Sequence, residues 1–284
     1  HITPVSIASN KTLSGAVTVS AGLLRLNETG TLASTIAMSG GTLDSDESST
    51  VSGALSHTAD IEIDVATSKT LTYSGAAISL GANTITLSGG GSLVSGGLTL
   101  NDADSKLLLN SITLDSVSTS GDSLGLDVDN NSTITALSVG HITPVSIASG
   151  KSLSGAITVT AGSVKLNETG TLASTIAMSG GTLDSDESST VSGALTQSGD
   201  IALDVADNKT LTYSGAAVGV GSNTVSYTHI RAHETREDLV CRLLLAKKIL
   251  LHLLIYSLST MHIPVHTPAP SILCAVLRIS INRS

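Results

Sequence analysis

The stretch Leu26–Leu55 reads LNETGTLASTIAMSGGTLDSDESSTVSGAL, and it returns unchanged as Leu166–Leu195. An identity of thirty residues at an offset of 140 puts repetition first, because long internal periods mark solenoids, propellers or arrays. Extended outward, residues 1–84 and 141–224 agree at 65 of 84 positions and differ at 19. The differences divide by chemistry. Val17 becomes Ile157, Leu24 becomes Val164, Ile63 becomes Leu203, Ile78 becomes Val218 and Leu80 becomes Val220, swaps that packed interiors absorb at small cost. His57 becomes Gln197, Thr67 becomes Asp207 and Ser68 becomes Asn208. The first set reads as core and the second as surface.

A shorter period lies inside each copy. AVTVS (16–20), ADIEIDV (59–65), KTLTYSG (69–75), ANTITLSG (82–89), GGLTLND (96–102), NSITLDS (110–116), GLDVD (125–129) and STITALSV (132–139) alternate aliphatic with polar residues. That is the period of a strand with one buried face. Gly-Gly, Ser-Gly and Asp-Asn-Asn separate the runs and favour turns. LDSDESST reads as an acidic, hairpin-like stretch. No helical stripe precedes residue 225.

At roughly 20–25 residues per solenoid turn, each unit is expected to hold about six turns. Ten turns about 4.8 Å apart make a rod on the order of 45–50 Å long. The expected fold is all-β, a right-handed parallel β-helix (β-solenoid) of about ten turns, followed by a non-native tail of helical propensity. Residues 1–140 form the first unit, 141–224 the second, truncated one, and 225–284 the tail. A propeller competes less well, since its repeat of roughly 40–50 residues carries aromatic signatures that are absent here.

Composition agrees with a narrow coil. Up to Thr224 there is no Phe, Trp or Cys, and Tyr73 and Tyr213 are the only aromatics. Stacked Val, Ile and Leu fill such a coil by burying each turn on its neighbours, at roughly 1.5–3 kcal/mol per buried Leu or Ile. Net charge is −13 through Thr224, where Arg25 is the only Arg, and +4 after it. An acidic surface with one Arg excludes nucleic acid and anionic membranes as partners. The lack of Cys leaves the redox compartment open. The chain opens at His1 rather than Met, so its natural start and any leader are expected to lie upstream.

After Thr224 the composition changes. The first unit continues from Thr84 as ITLSGGG, the second from Thr224 as VSYTHIRAHETREDLVCRLLLAKK. Residues 225–248 resemble the translation of a transposase-type sequencing adapter. Val225–Thr235 match its constant part, Arg236–Asp238 the barcode, Leu239–Leu245 the primer site, and the Lys residues a poly-A run. Ile230 and Ala246 depart from that pattern, as base-calling errors do. The resemblance implies that residues 225–284 are an artefact. It also disposes of His229 and His233, whose i, i+4 spacing beside Glu234 and Cys241 otherwise imitates zinc ligands. Ile249–Leu258 is too short to span a membrane, which takes about twenty apolar residues.

Asp44, Asp46 and Glu47, with their copies Asp184, Asp186 and Glu187, are the calcium candidates, followed by Asp102 with Asp104 and Asp127 with Asp129. Calcium takes about six to eight oxygens, whereas each cluster offers two or three. The GGxGxDxUx calcium roll is also missing its third Gly at Gly40-Gly41-Thr42-Leu43-Asp44. The expectation is therefore solvated turn carboxylates, with no metal and no cofactor. Asn27 and Asn167 stand in N-E-T sequons. Thr-x-Thr occurs at Thr70/Thr72, Thr84/Thr86, Thr133/Thr135, Thr158/Thr160 and Thr210/Thr212, where outward Thr on strands is ordinary.

The Gly/Ser/Thr/Asn-rich, Cys-free repeats of 1–224 resemble autotransporter passengers and filamentous bacterial adhesins. The resemblance implies a structural or adhesive region of a large secreted or cell-surface protein. Its partner is expected to be a surface carbohydrate or cell-surface protein, with no catalysis in this chain and an extracellular or cell-surface location. Two other readings stand beside it. A β-helix polysaccharide lyase or hydrolase needs convergent carboxylates or a Lys/Arg base; here the acids are duplicated and Arg is single. An ice- or surface-binding face needs the Thr pairs on one flat side.

Overall fold

The computed structural model describes residues 2–218 and 222–228, and within them every element is a strand. Alternation produces the fold directly. Each short run buries one side-chain row and then meets a Gly, Ser or Asn corner that redirects the chain, so successive runs pave different faces of one coil. Twelve strands stack on the first face: Ile2–Val5, Leu23–Leu26, Thr42–Ser45, Ile61–Val65, Thr84–Ser88, Lys106–Leu109, Gly125–Val128, Ile142–Ile147, Ser163–Leu166, Thr182–Ser185, Ile201–Val205 and Val225–Thr228. All strand pairs among the described residues are parallel, and the chain winds as a β-solenoid of about eleven turns. At about 4.8 Å per turn the stack is about 50 Å long. Seven turns separate Ile2–Val5 from its repeat at Ile142–Ile147, one more than spacing predicted. The corners are tight, and partners stand as few as 19 residues apart, as Arg25 and Asp44 do.

The second face runs from Thr12–Leu13 through Thr31–Leu32, Thr50–Val51, Thr70–Tyr73 and Ser92–Val94. Ala16–Val19, Thr35–Met38 and Leu55–His57 begin a third face. In the middle turns the corner between these two faces opens. Thr113–Thr119, Ser132–Val139 and Ser152–Val159 each cross it as one long strand.

Inward side chains form ladders along the coil. One climbs from Ile61 through Ile85, Leu107, Leu126, Val145 and Leu166 to Ser185 and Val205. Its members are buried, so each turn is covered on both sides by its neighbours. Of the aliphatic positions that swap between copies, Leu24, Val164, Ile157, Ile63, Ile78 and Leu80 are buried, while Val17, Leu203 and Val218 are partly buried against the core.

The stretch LDSDESST is a corner rather than a hairpin. Thr42–Ser45 and Thr50–Val51 belong to different faces, because Leu43 and Val51 must both reach the core. Ser45 and Ser49 are buried and donate to corner carbonyls: Ser45 Oγ to Glu47 O at 2.8 Å, and Ser49 Oγ to Glu28 O at 2.8 Å. Ser185 and Ser189 repeat both bonds. Buried hydroxyls satisfied in this way cost little.

The third face is interrupted above Leu55–His57. Among the described residues no ladder joins Leu55–His57 to Ile78–Ser79 in the next turn. Side chains bridge the break instead. Leu55 N–H donates to the buried Tyr73 hydroxyl at 3.0 Å, and His57 Nε2 lies 3.0 Å from Ser79 O. Gly75 leaves room for this phenol, since a Cβ there would stand 2.4 Å from the Tyr73 oxygen. In the second copy Leu195 N–H donates to Tyr213 at 3.0 Å.

Val225–Thr228, the start of the adapter-like segment, form the last strand and pair with Ile201–Val205. V-S-Y-T alternates as I-T-L-S does at 85–88, and alternation with backbone bonding suffices for pairing. Tyr227 stands where Leu87 stands in the first copy, yet it is 44% exposed against 0%.

Candidate functional site

Candidate chemistry is read from the outward rows of the coil, where the titratable side chains stand. On the first face the alternation that buries Leu24 and Leu43 turns Arg25 and Asp44 outward, and the register sets Arg25, Asp44 and Asp64 side by side on consecutive turns. Arg25 Nε donates to Asp44 Oδ2 at 2.7 Å and stands 3.4 Å from Asp46 Oδ2. Only 8% of the Asp44 side chain is exposed. Burial pushes its carboxyl above the ordinary value against the hydrogen bond from Arg25, and Asp46 and Asp64 add to the rise. The hydrogen bond to Asp44 in turn holds Arg25 above its own ordinary value.

The second copy rebuilds this arrangement with a different cation. Lys165 Nζ stands 3.2 Å from Asp184 and 2.8 Å from Asp186. Burial again raises Asp184, and the bond to Asp186 raises Lys165. Glu47 pairs with Lys69 from the turn above, and Glu187 with Lys209. The six calcium candidates thus each face a Lys or Arg of a neighbouring turn. The remaining candidates are dispersed. Asp102 Oδ1 accepts from Asp104 N–H at 3.0 Å within one turn, Asp127 pairs with Lys106 at 2.7 Å, and Asp129 is exposed. Among the described residues no three His, Cys, Asp or Glu side chains converge as metal ligands do. Beside the ion pairs, Ser88 Oγ lies 2.8 Å from Glu62 Oε1 and 2.7 Å from Asp64 Oδ2, sharing one proton between two carboxylates.

Asn27 and Asn167 are partly buried corner residues whose Oδ1 atoms have no partner. The Thr-x-Thr pairs are split among faces. Thr84/Thr86 lie on the first, Thr70/Thr72 and Thr212 on the second, and Thr158 on the third. The Thr-x-Thr pairs therefore do not share one flat side.

A different hydroxyl row appears on the second face. Thr12, Thr31, Thr50 and Thr72 are Cα partners on four successive turns, and Ser152, Thr171, Thr190 and Thr212 repeat the row. A third row runs Thr70, Ser92, Thr113, Thr133 and Ser154, the last two with oxygens 2.8 Å apart. Reading within strands missed these rows. Their signal is one Ser or Thr per turn at intervals of about 20 residues.

His229, His233, Glu234, Cys241 and Ile249–Leu258 lie outside the described residues. Among those described, no helix is long and apolar enough to cross a membrane. Compared with protein-family models, curated proteins and solved structures, the chain matches none.

Proposed function

We propose that residues 1–224 are a structural and adhesive repeat region of a large secreted or cell-surface bacterial protein, without catalytic activity of their own. We propose further that residues 225–284 are translated adapter and unrelated sequence. The observation that carries the first reading is the rebuilding of the ion-paired corner in the second copy. Lys165 replaces Arg25, both aspartates that pair with it are retained, and the same serines bond the same carbonyls. What both copies share is a shape and a way of joining turns. A catalytic centre needs unique convergent groups, whereas these carboxylates are spent on neighbouring turns. The hydroxyl rows supply a regular polar surface suited to carbohydrate or to another cell-surface protein.

The test is display of the chain on a non-adherent bacterial cell, scored for retention on glycan- and protein-coated surfaces. Polysaccharides incubated with the purified chain are assayed in parallel for new reducing ends or unsaturated sugars. Retention on at least one surface without chain cleavage is the expected result. Cleavage of any polysaccharide overturns the non-catalytic reading, and absence of retention overturns adhesion. Long-read sequencing of the source locus across the codon for Thr224 tests the second proposal; VSYTHIRAHET in genomic DNA overturns it.

A further inference from the structure

We propose that the free edge of the first turn is a docking surface for the seventh turn of a further copy of the 140-residue unit, stacked head to tail in tandem. The proposal rests on the fold alone and stands whether or not the adhesive reading holds. The molecule contains its own control, because turn one (Ile2–Val5, Thr12–Leu13, Ala16–Val19) and turn eight (Ile142–Ile147, Ser152–Val159) share nearly one sequence in two surroundings. Turn eight sits on turn seven (Gly125–Val128, Ser132–Val139) through nine Cα pairs. Eight of those nine turn-eight positions carry the same residue in turn one, and the ninth is Val17 in place of Ile157.

Each difference between the two turns traces the missing neighbour. Leu13 is 44% exposed, while Leu153, its counterpart, is 1% exposed. Two short strands at 12–19 become one unbroken strand, Ser152–Val159, once turn seven lies beneath. Ala148 N–H donates to Val128 O and Thr160 N–H to Val139 O, both at 3.0 Å, whereas among the described residues no strand lies below Ala8 and Ser20.

The sharpest mark is a notch. Gly155, at φ +119°, admits the Ile134 carbonyl so closely that a Cβ would stand 1.8 Å from its oxygen. Gly15 keeps the same positive φ, +132°, with nothing within 4 Å of a Cβ. Turn one is therefore shaped for a carbonyl that none of the described residues brings to it. The seventh turn of the same unit supplies that carbonyl, the ladder partners and the acceptors for Ala8 and Ser20. An exposed parallel edge of this kind is a template for pairing, and a head-to-tail contact between like units is open-ended.

The experiment compares the full chain with a version carrying one more copy of residues 1–140 fused directly ahead of His1, by amide hydrogen exchange. In the full chain Ala8 and Ser20 are expected to exchange at least about tenfold faster than Ala148 and Thr160. In the extended chain the two pairs are expected to agree within about threefold. Gly15→Ala strains the positive φ in both chains, so it is expected to change the exchange of turn two alike in both and, in the extended chain alone, to abolish the gained protection. Fast exchange of Ala8 and Ser20 in the extended chain overturns the proposal, whether or not the added unit is itself protected, because the proposal requires one continuous stack. Protection that survives Gly15→Ala overturns the assignment of the notch.

Discussion

Ile61→Asp tests whether the inward ladder holds the coil together. Ile61 is 4% exposed and faces Ile85 on the next turn. Removing its side chain forfeits about 3 kcal/mol of burial and packing. The aspartate that replaces it cannot stay ionised there without a partner, and holding it neutral at pH 7 costs about 4 kcal/mol relative to its ordinary value. A neutral carboxyl without hydrogen bonds adds about 2 kcal/mol. The total, roughly 9 kcal/mol, is comparable to the whole stability of an ordinary domain, about 5–15 kcal/mol. Stability in a stack is a sum over turns and their interfaces, so the loss is expected to be local. Amides of 42–65 and 84–88 should lose protection in hydrogen exchange, while those of 163–185 keep it. The sign of the pH dependence is fixed as well. The introduced carboxyl titrates above its unfolded value, so the deficit shrinks as pH falls toward the carboxylate range, by about 1.4 kcal/mol per unit. Unchanged protection at 61–65, or a deficit that grows on acidification, refutes the reasoning.

Three further perturbations each test one named contact. Asp44 and Asp184 titrate above their ordinary values in the folded chain, so their contribution to stability is full at low pH and is lost as pH rises through the folded values. Arg25→Ala should raise the Asp44 midpoint further and Arg25→Lys should move it little; carboxyl NMR titration decides, and an unmoved midpoint in Arg25→Ala contradicts the pairing. Glu47→Ala removes a half-exposed ion pair and should cost under about 1 kcal/mol, with thermal melts identical in calcium and in chelator. A large chelator effect would restore the calcium reading. Tyr73→Phe strands the Leu55 amide and should cost about 1–2 kcal/mol in urea unfolding; a shift below a few tenths shows that water replaces the phenol.

The solenoid was legible because its rule is local. Alternation needs no knowledge of partners, and the aliphatic swaps at 24, 63, 78 and 80 identified inward positions that the structure buries. The corner LDSDESST was misread because turn chemistry specifies a reversal of direction without saying whether the chain returns in the same sheet or climbs to a new face. Leu43 and Val51, both needing the core, make that choice. The hydroxyl rows and the Arg25–Asp44 pair were hidden for a related reason. They join residues about 20 apart, and nothing inside a strand fixes which residue of the next turn lies alongside. Tyr73 also looked like an ordinary strand residue, since its hydroxyl acts at a break in the third face that only the stacked turns reveal.

Register shows how sequence period and structural period part company. Cα partners followed upward from Ile2 are Leu23, Thr42, Glu62, Thr86, Leu108, Asp127 and Ser146. Ser146 stands four residues beyond Ile142, the sequence counterpart of Ile2. Identical stretches therefore occupy shifted columns, and Ile61 and Val205 share a ladder although Ile61 repeats as Ile201. The shift is absorbed in Ile142–Ile147, whose last three residues pair downward and first four upward. It amounts to about 13 Å along the strand direction. An even step preserves which side chains face inward, while an odd one would turn the entire core outward. The long repeat thus does not impose the stack. Each turn finds its register from its own alternation and corners, and parity is the one constraint that the units must share.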